Sequence, residues 1–149
     1  MHCDQVCVRA TRRRGFSLVE LSVVVIIIGV LAAFGIPRML KSVERSKASE
    51  AFQYLATVRA AQERCQSRQG TYAALLTDLD MEQSAPKYYS VGTIAAGATG
   101  SLEDSWTLTL TRVGASAGYG AYTVVFTQNG YDTVASTIEA LPDINPMGT

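Results

Sequence analysis

The chain has little of the chemistry that most enzymes and metal sites use. Its 149 residues include a single histidine, His2, and three cysteines, Cys3, Cys7 and Cys65. If the N-terminal segment, residues 1–15, is removed, no imidazole is left for general base catalysis or metal binding. Cys65 then has no partner for an intrachain disulfide. No Cys/His pair has the spacing of a metal site. We therefore predict a protein that is not an enzyme and that holds no metal and no cofactor.

An excess of charge of one sign is missing as well. Thirteen Lys and Arg residues balance thirteen Asp and Glu residues. Nothing in that balance points to nucleic acid, and the run of like charge at Arg12 to Arg14 is not continued. The glycines of GASAGYGAY contain one G-x-G without a strand-to-helix context, so they do not predict a phosphate loop. No nucleic-acid partner and no nucleotide site are expected.

The sequence does have one long apolar run, residues 16–37, behind a short basic segment, residues 1–15. A helix over the run spans roughly 30 Å, which is enough to cross a bilayer. The run carries one carboxylate, Glu20, and a charge inside hydrocarbon costs at least ~2.5 kcal/mol, so Glu20 needs a functional reason. Taken alone, the run also fits a secretory signal, a plain membrane anchor whose Glu20 snorkels to the interface, or a buried core helix.

The junction RRRG-FSLVEL resembles the class III signal of type IV pilins and type II secretion pseudopilins. It combines a basic leader ending in glycine, an aromatic first mature residue, a glutamate four residues later and a long apolar helix. The resemblance extends from Arg12 to about Pro37. It implies that a prepilin peptidase cuts between Gly15 and Phe16 and methylates the new amine of Phe16.

The same resemblance gives Glu20 a partner. In that family the glutamate is thought to neutralise the N-terminal amine of a neighbouring subunit, which here is Phe16 of another copy. Two lone charges in an apolar bundle are each costly, and pairing offsets much of that cost while fixing the register of assembly. Gly29 and Pro37 are weak points of the helix. In assembled pili the stretch between a glycine and a proline at these positions can lose helicity, and whether it does so here stays open.

Residues 38–68 predict an amphipathic helix. Its apolar stripe recurs at spacings of three, four and seven and consists of Ala48, Ala51, Phe52, Leu55, Val58 and Cys65. The charged residues are expected mostly off that stripe, namely Glu44, Lys47, Glu50, Arg59 and Glu63. Because no breaker falls between Pro37 and Gly70, span and amphipathic helix should form one rod of about 50 residues. Cys65 on the stripe is expected to be a buried free thiol.

The rest of the chain predicts short strands. Trp106, Leu108 and Leu110 alternate with threonines in SWTLTLTR, and AYTVVFT alternates in the same way. A further strand is possible over 88–94, and Asn129-Gly130 predicts a two-residue hairpin turn leading into a strand over 131–138. That register would set Thr133 and Ala135 beside Phe126 and Val124. The tail from Leu141 has no regular pattern.

These elements predict an α+β fold. A long N-terminal α-helix, with a membrane half and an amphipathic half, packs its second half on a small antiparallel β-sheet at about 88–138. The expected organisation is a cleaved leader over 1–15, a hydrophobic transmembrane and assembly helix over 16–37, and a globular domain over 38–149.

The resemblance implies a structural subunit of a helical, type IV pilus-like filament at the cell surface. The alternatives are a pseudopilin of a type II secretion or DNA-uptake system and, outside the family, a single-span membrane-anchored binding module. A C-terminal calcium loop around an aspartate-proline-tryptophan-glycine-like run, usual in major pseudopilins, is absent, and so is the paired-cysteine loop of many type IVa pilins. Loss of the leader would leave nine basic and twelve acidic side chains, a net charge of −3.

The implied partners follow from the same family. They are other copies of the chain, the prepilin peptidase, an inner-membrane assembly platform with its ATPase, and membrane lipid before assembly. The subunit would first sit in the inner membrane with its C-terminal domain outside the cytoplasm. After assembly it would stand in a surface pilus or a periplasmic pseudopilus.

Overall fold

A computed structural model of the protein describes residues 15–114 and 118–148. The chain divides into two compact units, Met1–Pro37 and Arg38–Thr149. The leader predicted over residues 1–15 lies outside the described residues except for Gly15. The described elements are the helix α1 (Leu18–Gln69), two 3₁₀ turns (Leu76–Asp78 and Thr137–Ala140) and five strands, β1 (Tyr89–Val91), β2 (Ala95–Ala96), β3 (Trp106–Arg112), β4 (Thr123–Thr127) and β5 (Gly130–Tyr131).

The helix α1 is continuous over 52 residues, which confirms the prediction of one uninterrupted helix. It ends where Gly70 adopts a φ of 77°, a left-handed conformation that glycine adopts without steric cost, and the Gly70 N–H donates to the Gln66 carbonyl at 2.8 Å. Its first half is apolar and uncovered: residues 18–43 are exposed apart from the half-buried Ala32. By length and composition this half could cross a membrane.

The second half of α1 packs on the sheet with the predicted stripe. Ala48, Ala51, Leu55 and Val58 are fully buried, and Phe52 meets Phe126 of β4 edge-on with ring centroids 5.8 Å apart. Cys65 is buried and free, as predicted. The stripe also contains members that its apolar pattern did not include: Tyr54, Ala61, Gln62 and Glu44. The placement of Glu44 off the stripe was wrong, because its carboxylate lies inside the protein against Arg112.

The sheet is antiparallel, with strand order β1-β3-β4-β5 and β2 also paired with β3. The alternation predicted for β3 is confirmed: Trp106, Leu108 and Leu110 are fully buried and the threonines between them are half-buried. The predicted strand over 88–94 is shorter. It stops at Val91, although the Gly92 N–H still donates to the Thr109 carbonyl of β3 at 2.9 Å.

The predicted last strand and its turn were wrong. The register pairs Thr127 with Gly130 and Phe126 with Tyr131, so Gln128 and Asn129 form the turn. The strand β5 is two residues long, because Asp132 Oδ1 accepts hydrogen bonds from the N–H groups of residues 134 and 135, at 3.0 Å each, and bends the chain into a turn. Tyr131, and not Thr133, therefore faces Phe126.

The C-terminal tail is held against the domain although it has no sequence pattern. Ile144 and Asn145 are fully buried. The Asn145 amide donates to Glu139 at 2.9 Å, and Lys41 of α1 forms a 2.5 Å ion pair with Asp143. The tail thereby ties the beginning of the globular unit to its end.

Candidate functional site

The processing and assembly residues predicted from the sequence lie around the N-terminus of α1. Ser17 is the residue before the helix, and its Oγ accepts a hydrogen bond from the Val19 N–H at 3.3 Å. The Glu20 carboxylate reaches back and accepts one from the Ser17 N–H at 3.1 Å. These two bonds form a capping box, in which a serine and a glutamate three residues later satisfy donors that a helix end leaves free. Within one chain, then, Glu20 caps its own helix.

The cap also suits the charge of Glu20. A carboxylate in the first turn of a helix lies at the positive end of the helix dipole, where a negative charge stabilises the helix. The spacing S-x-x-E is a readable signal for this cap, but the prediction treated Glu20 only as a charge in hydrocarbon and so missed it. The predicted partner, an amine of a second copy, is not tested by a single chain and stays a prediction.

The other predicted site residues are accessible. Phe16 is 80 % exposed, and a Cβ added at Gly15 would have none of the described residues within 4 Å. Gly29 and Pro37 both lie inside α1, apart from the capping box. At Pro37 the ring removes one backbone donor, so the carbonyl four residues earlier loses its partner in the helix.

A second polar site, not predicted from the sequence, lies between α1 and the sheet. Glu44 and Arg112 are both fully buried at the side chain and form a fork: Arg112 Nε is 2.6 Å from Glu44 Oε1, and Nη2 is 3.1 Å from Oε2. The Tyr122 hydroxyl donates to Glu44 Oε1 at 3.1 Å, and Lys47 Nζ lies 3.3 Å from Oε2. Paired in this way, each charge offsets much of the cost of burying the other.

The pKa values of Arg112, Tyr122 and Tyr89 all lie above their usual values. The hydrogen bond to Glu44 raises the pKa of Arg112. Burial raises the pKa of Tyr122 to about 12 and raises that of Tyr89 still further. The two hydroxyls are 2.7 Å apart. Since Tyr122 donates to Glu44, it accepts from Tyr89, so both tyrosines stay neutral donors around one carboxylate.

A third buried polar contact closes the far end of α1. Gln62 is fully buried, and its side-chain amide both donates to the Ala73 carbonyl at 3.0 Å and accepts from the Ala73 N–H at 2.8 Å. This pair of bonds copies a β-bridge between a side chain and the backbone. It holds the loop that follows Gly70 against the helix and satisfies the Gln62 amide inside the core.

Comparisons with known proteins confirm the family resemblance seen in the sequence. Residues 10–36 match the family model described as "Prokaryotic N-terminal methylation motif", and residues 37–121 match the one described as "Type IV minor pilin ComP, DNA uptake sequence receptor". The chain is 38 % identical over 85 residues to the "Type IV major pilin protein PilA" of Myxococcus xanthus (strain DK1622). That alignment covers 57 % of this chain and 39 % of the relative.

No solved structure matches the chain. The aligned region spans only about two fifths of the curated relative's length. The second family model, by contrast, covers more than half of this chain, and the first covers the predicted cleavage junction. The chain therefore belongs to the type IV pilin family, in the group whose model bears the ComP description.

Proposed function

We propose that the protein is a structural subunit of a type IV pilus-like filament, matured by cleavage between Gly15 and Phe16 and by methylation of Phe16. The observation that carries this proposal is the bare apolar half of α1. Residues 18–43 are almost all exposed, a far larger apolar surface than a soluble monomer leaves in water. Lipid covers that surface before assembly, and the same helices of other copies cover it in the filament.

Assembly then needs no chemistry from this chain. Its free energy comes from apolar helix packing, and a heterologous contact that does not close on itself extends into an open helical filament. A peptidase cuts the leader, and an inner-membrane platform with its ATPase extracts the subunit. Residues 38–149 lie outside the cytoplasm before assembly, and the assembled filament stands at the cell surface or in the periplasm.

The experiment that tests this function blocks the cut. A Cβ added at Gly15 meets nothing within 4 Å among the described residues, so a defect in Gly15→Val reports on the peptidase and not on the folding of that part of the chain. We expect the full-length precursor, with the 15 leader residues still present by mass, to stay in the membrane and no filaments to form. Gly29→Ala is the matched control for cleavage alone, since it also replaces a glycine at which an added Cβ meets nothing within 4 Å among the described residues.

Two outcomes contradict the proposal. Normal processing of Gly15→Val rejects the class III signal. An intact Met1 on the wild-type protein in the membrane favours the single-span anchored binding module. A methylated phenylalanine at position 16 in sheared filaments supports the filament subunit directly.

A second candidate is a minor subunit that binds DNA during uptake, which the description of the matched ComP model favours. The net charge of −3 opposes it, but charge is unevenly distributed. Residues 38–68 hold seven of the nine basic side chains of the mature chain against three acidic ones. Beside this segment the Tyr88 ring lies 4.8 Å from Lys47 Nζ and 5.8 Å from Lys87 Nζ, a combination of cations and an aromatic ring that suits nucleic acid.

Salt dependence separates the two candidates. A DNA-binding subunit should lose affinity steeply as salt rises, with a smaller slope in Lys87→Ala and weaker binding in Tyr88→Ala. Gln69→Ala, an exposed and uncharged change at the C-terminal end of α1, outside residues 38–68, is the control. If the purified full-length protein shows no DNA binding at low salt, the second candidate fails and the filament subunit stands.

A further inference from the structure

The stretch of α1 just after Pro37 has little that holds it helical. Pro37 removes the backbone hydrogen bond to the carbonyl of residue 33, immediately before this stretch, and every side chain from residue 33 to residue 43 is exposed. Unwinding this stretch therefore uncovers no core. Among the described residues, Lys41 in this stretch forms an ion pair with Asp143. The two side chains are 49 % and 61 % exposed, and exposed ion pairs contribute little stability.

The burial of α1 changes abruptly at Glu44. It is the first buried residue of α1 after the span, and it is buried completely. Its carboxylate is held from three sides, by the Arg112 fork, by the Tyr122 hydroxyl and by Lys47. To unwind α1 past this point would pull an ionised carboxylate off a buried guanidinium and leave that guanidinium without its counter-charge.

The other end of the fork is itself held firmly. Arg112 ends β3, the strand that pairs with β1 on one side and β4 on the other. Its N–H donates to the Tyr122 carbonyl at 2.8 Å, and it lies opposite Tyr89 in the β1 ladder. Its guanidinium also donates to the carbonyls of residues 88 and 113. A pull on Glu44 is therefore transmitted to the centre of the sheet, not to a loop.

We propose that the buried Glu44–Arg112 pair is a stop that arrests unwinding of α1 at Glu44. The helix between Pro37 and Val43 can open, bend or stretch while the helix from Ala48 onwards and the sheet keep their structure. The pair thus separates a compliant stretch from a rigid one. Its purpose in a filament under tension rests on the proposed function, but the stop itself is a property of one subunit.

Hydrogen exchange on the full-length protein in detergent micelles tests the stop without any filament. In an α-helix each N–H bonds to the carbonyl four residues earlier, so the Ala48 N–H depends on the Glu44 carbonyl. We expect amides 42–47, which depend on carbonyls 38–43, to exchange at least ~100-fold faster than amides from Ala48 onwards. Equal protection on both sides of Glu44, or a boundary beyond Phe52, would overturn the proposal in the wild-type protein alone.

Variants then assign the boundary to the pair. Glu44→Gln keeps the size of the side chain and removes its charge, and we expect the boundary to move towards the C-terminus by at least one turn while β3 and β4 stay protected. Lys41→Ala, which breaks the exposed pair one turn away, should leave the boundary in place. If Glu44→Gln loses protection in the sheet as well, Tyr122→Phe is the milder change, since it removes one hydrogen bond to Glu44. An unmoved boundary in a variant whose sheet stays protected contradicts the proposal.

Discussion

Two roles of Glu20, capping its own helix and pairing with the amine of a neighbouring subunit, can be separated by three substitutions. Within one chain it caps α1 through the Ser17 N–H. In a filament it is expected to neutralise the Phe16 amine of a neighbour. Glu20→Gln keeps the hydrogen-bonding half of the capping box, since glutamine serves at that position, but removes the charge. Ser17→Ala removes the reciprocal bond to Val19 and keeps the charge. Glu20→Leu removes both.

Loss of the helix cap and loss of the ion pair between subunits differ enough in free energy to be distinguished by experiment. Loss of an N-terminal cap typically costs about 0.5–2 kcal/mol. Loss of one member of a buried ion pair costs about 3–5 kcal/mol, because the remaining charge stays buried without a partner. At about 1.4 kcal/mol for each factor of ten, the second loss lowers the affinity between subunits roughly 100- to 5,000-fold, and it recurs at each contact along the filament.

Filament yield, divided by the amount of subunit in the membrane, is the assay. We expect Glu20→Gln and Glu20→Leu to insert and be cleaved almost normally while forming few or no filaments, and Ser17→Ala to form filaments close to the wild-type yield. Co-expression with wild type should rescue in part, because a mutant subunit still offers its own Phe16 amine. Wild-type yield in Glu20→Gln together with a loss in Ser17→Ala would show that capping is what matters and would refute the paired-charge account.

Two further predictions concern the globular unit. Leu55 is fully buried between helix and sheet, so Leu55→Asp should lower the free energy of unfolding by several kcal/mol, comparable to the whole stability of a small domain. Ala56→Asp, on the exposed side of the helix, should not, and thermal unfolding of the two variants is the measurement. Burial raises the pKa of Tyr122 and of Tyr131 to about 12. Because folding then favours the protonated phenols, the contribution of these two tyrosines to stability should be constant up to about pH 10 and fall between pH 10 and 12. Unfolding temperatures that do not change between about pH 10 and 12 would contradict this.

The features that the sequence predicted are the ones that local spacing determines. The stripe through Ala48, Leu55 and Val58 follows the helical period, and the alternation in β3 follows the strand period, so each can be recognised within a few residues. Gly70 was a correct helix stop for the same reason: its left-handed φ is a local property. No contact distant in sequence was needed for any of these predictions.

The features that the sequence did not predict depend on distant partners or on competing local rules. Glu44 lies four residues before Ala48, so its spacing indicated the buried stripe, but its charge argued against burial. The partner that makes burial tolerable, Arg112, is 68 residues away. At the end of the sheet, β-propensity predicted a strand from residue 131, and the Asp132 side chain captured the backbone instead.

The burial of Cys65 has a practical consequence for labelling the protein with thiol-reactive dyes. Its thiol is free and only 9 % exposed, and the proposed cleavage between Gly15 and Phe16 would remove Cys3 and Cys7. Thiols react through an accessible thiolate, so the mature subunit should show little labelling by maleimide dyes at its own cysteine. An introduced cysteine at an open position such as Val134, which is 95 % exposed, can then carry the label while Cys65 keeps its place in the core.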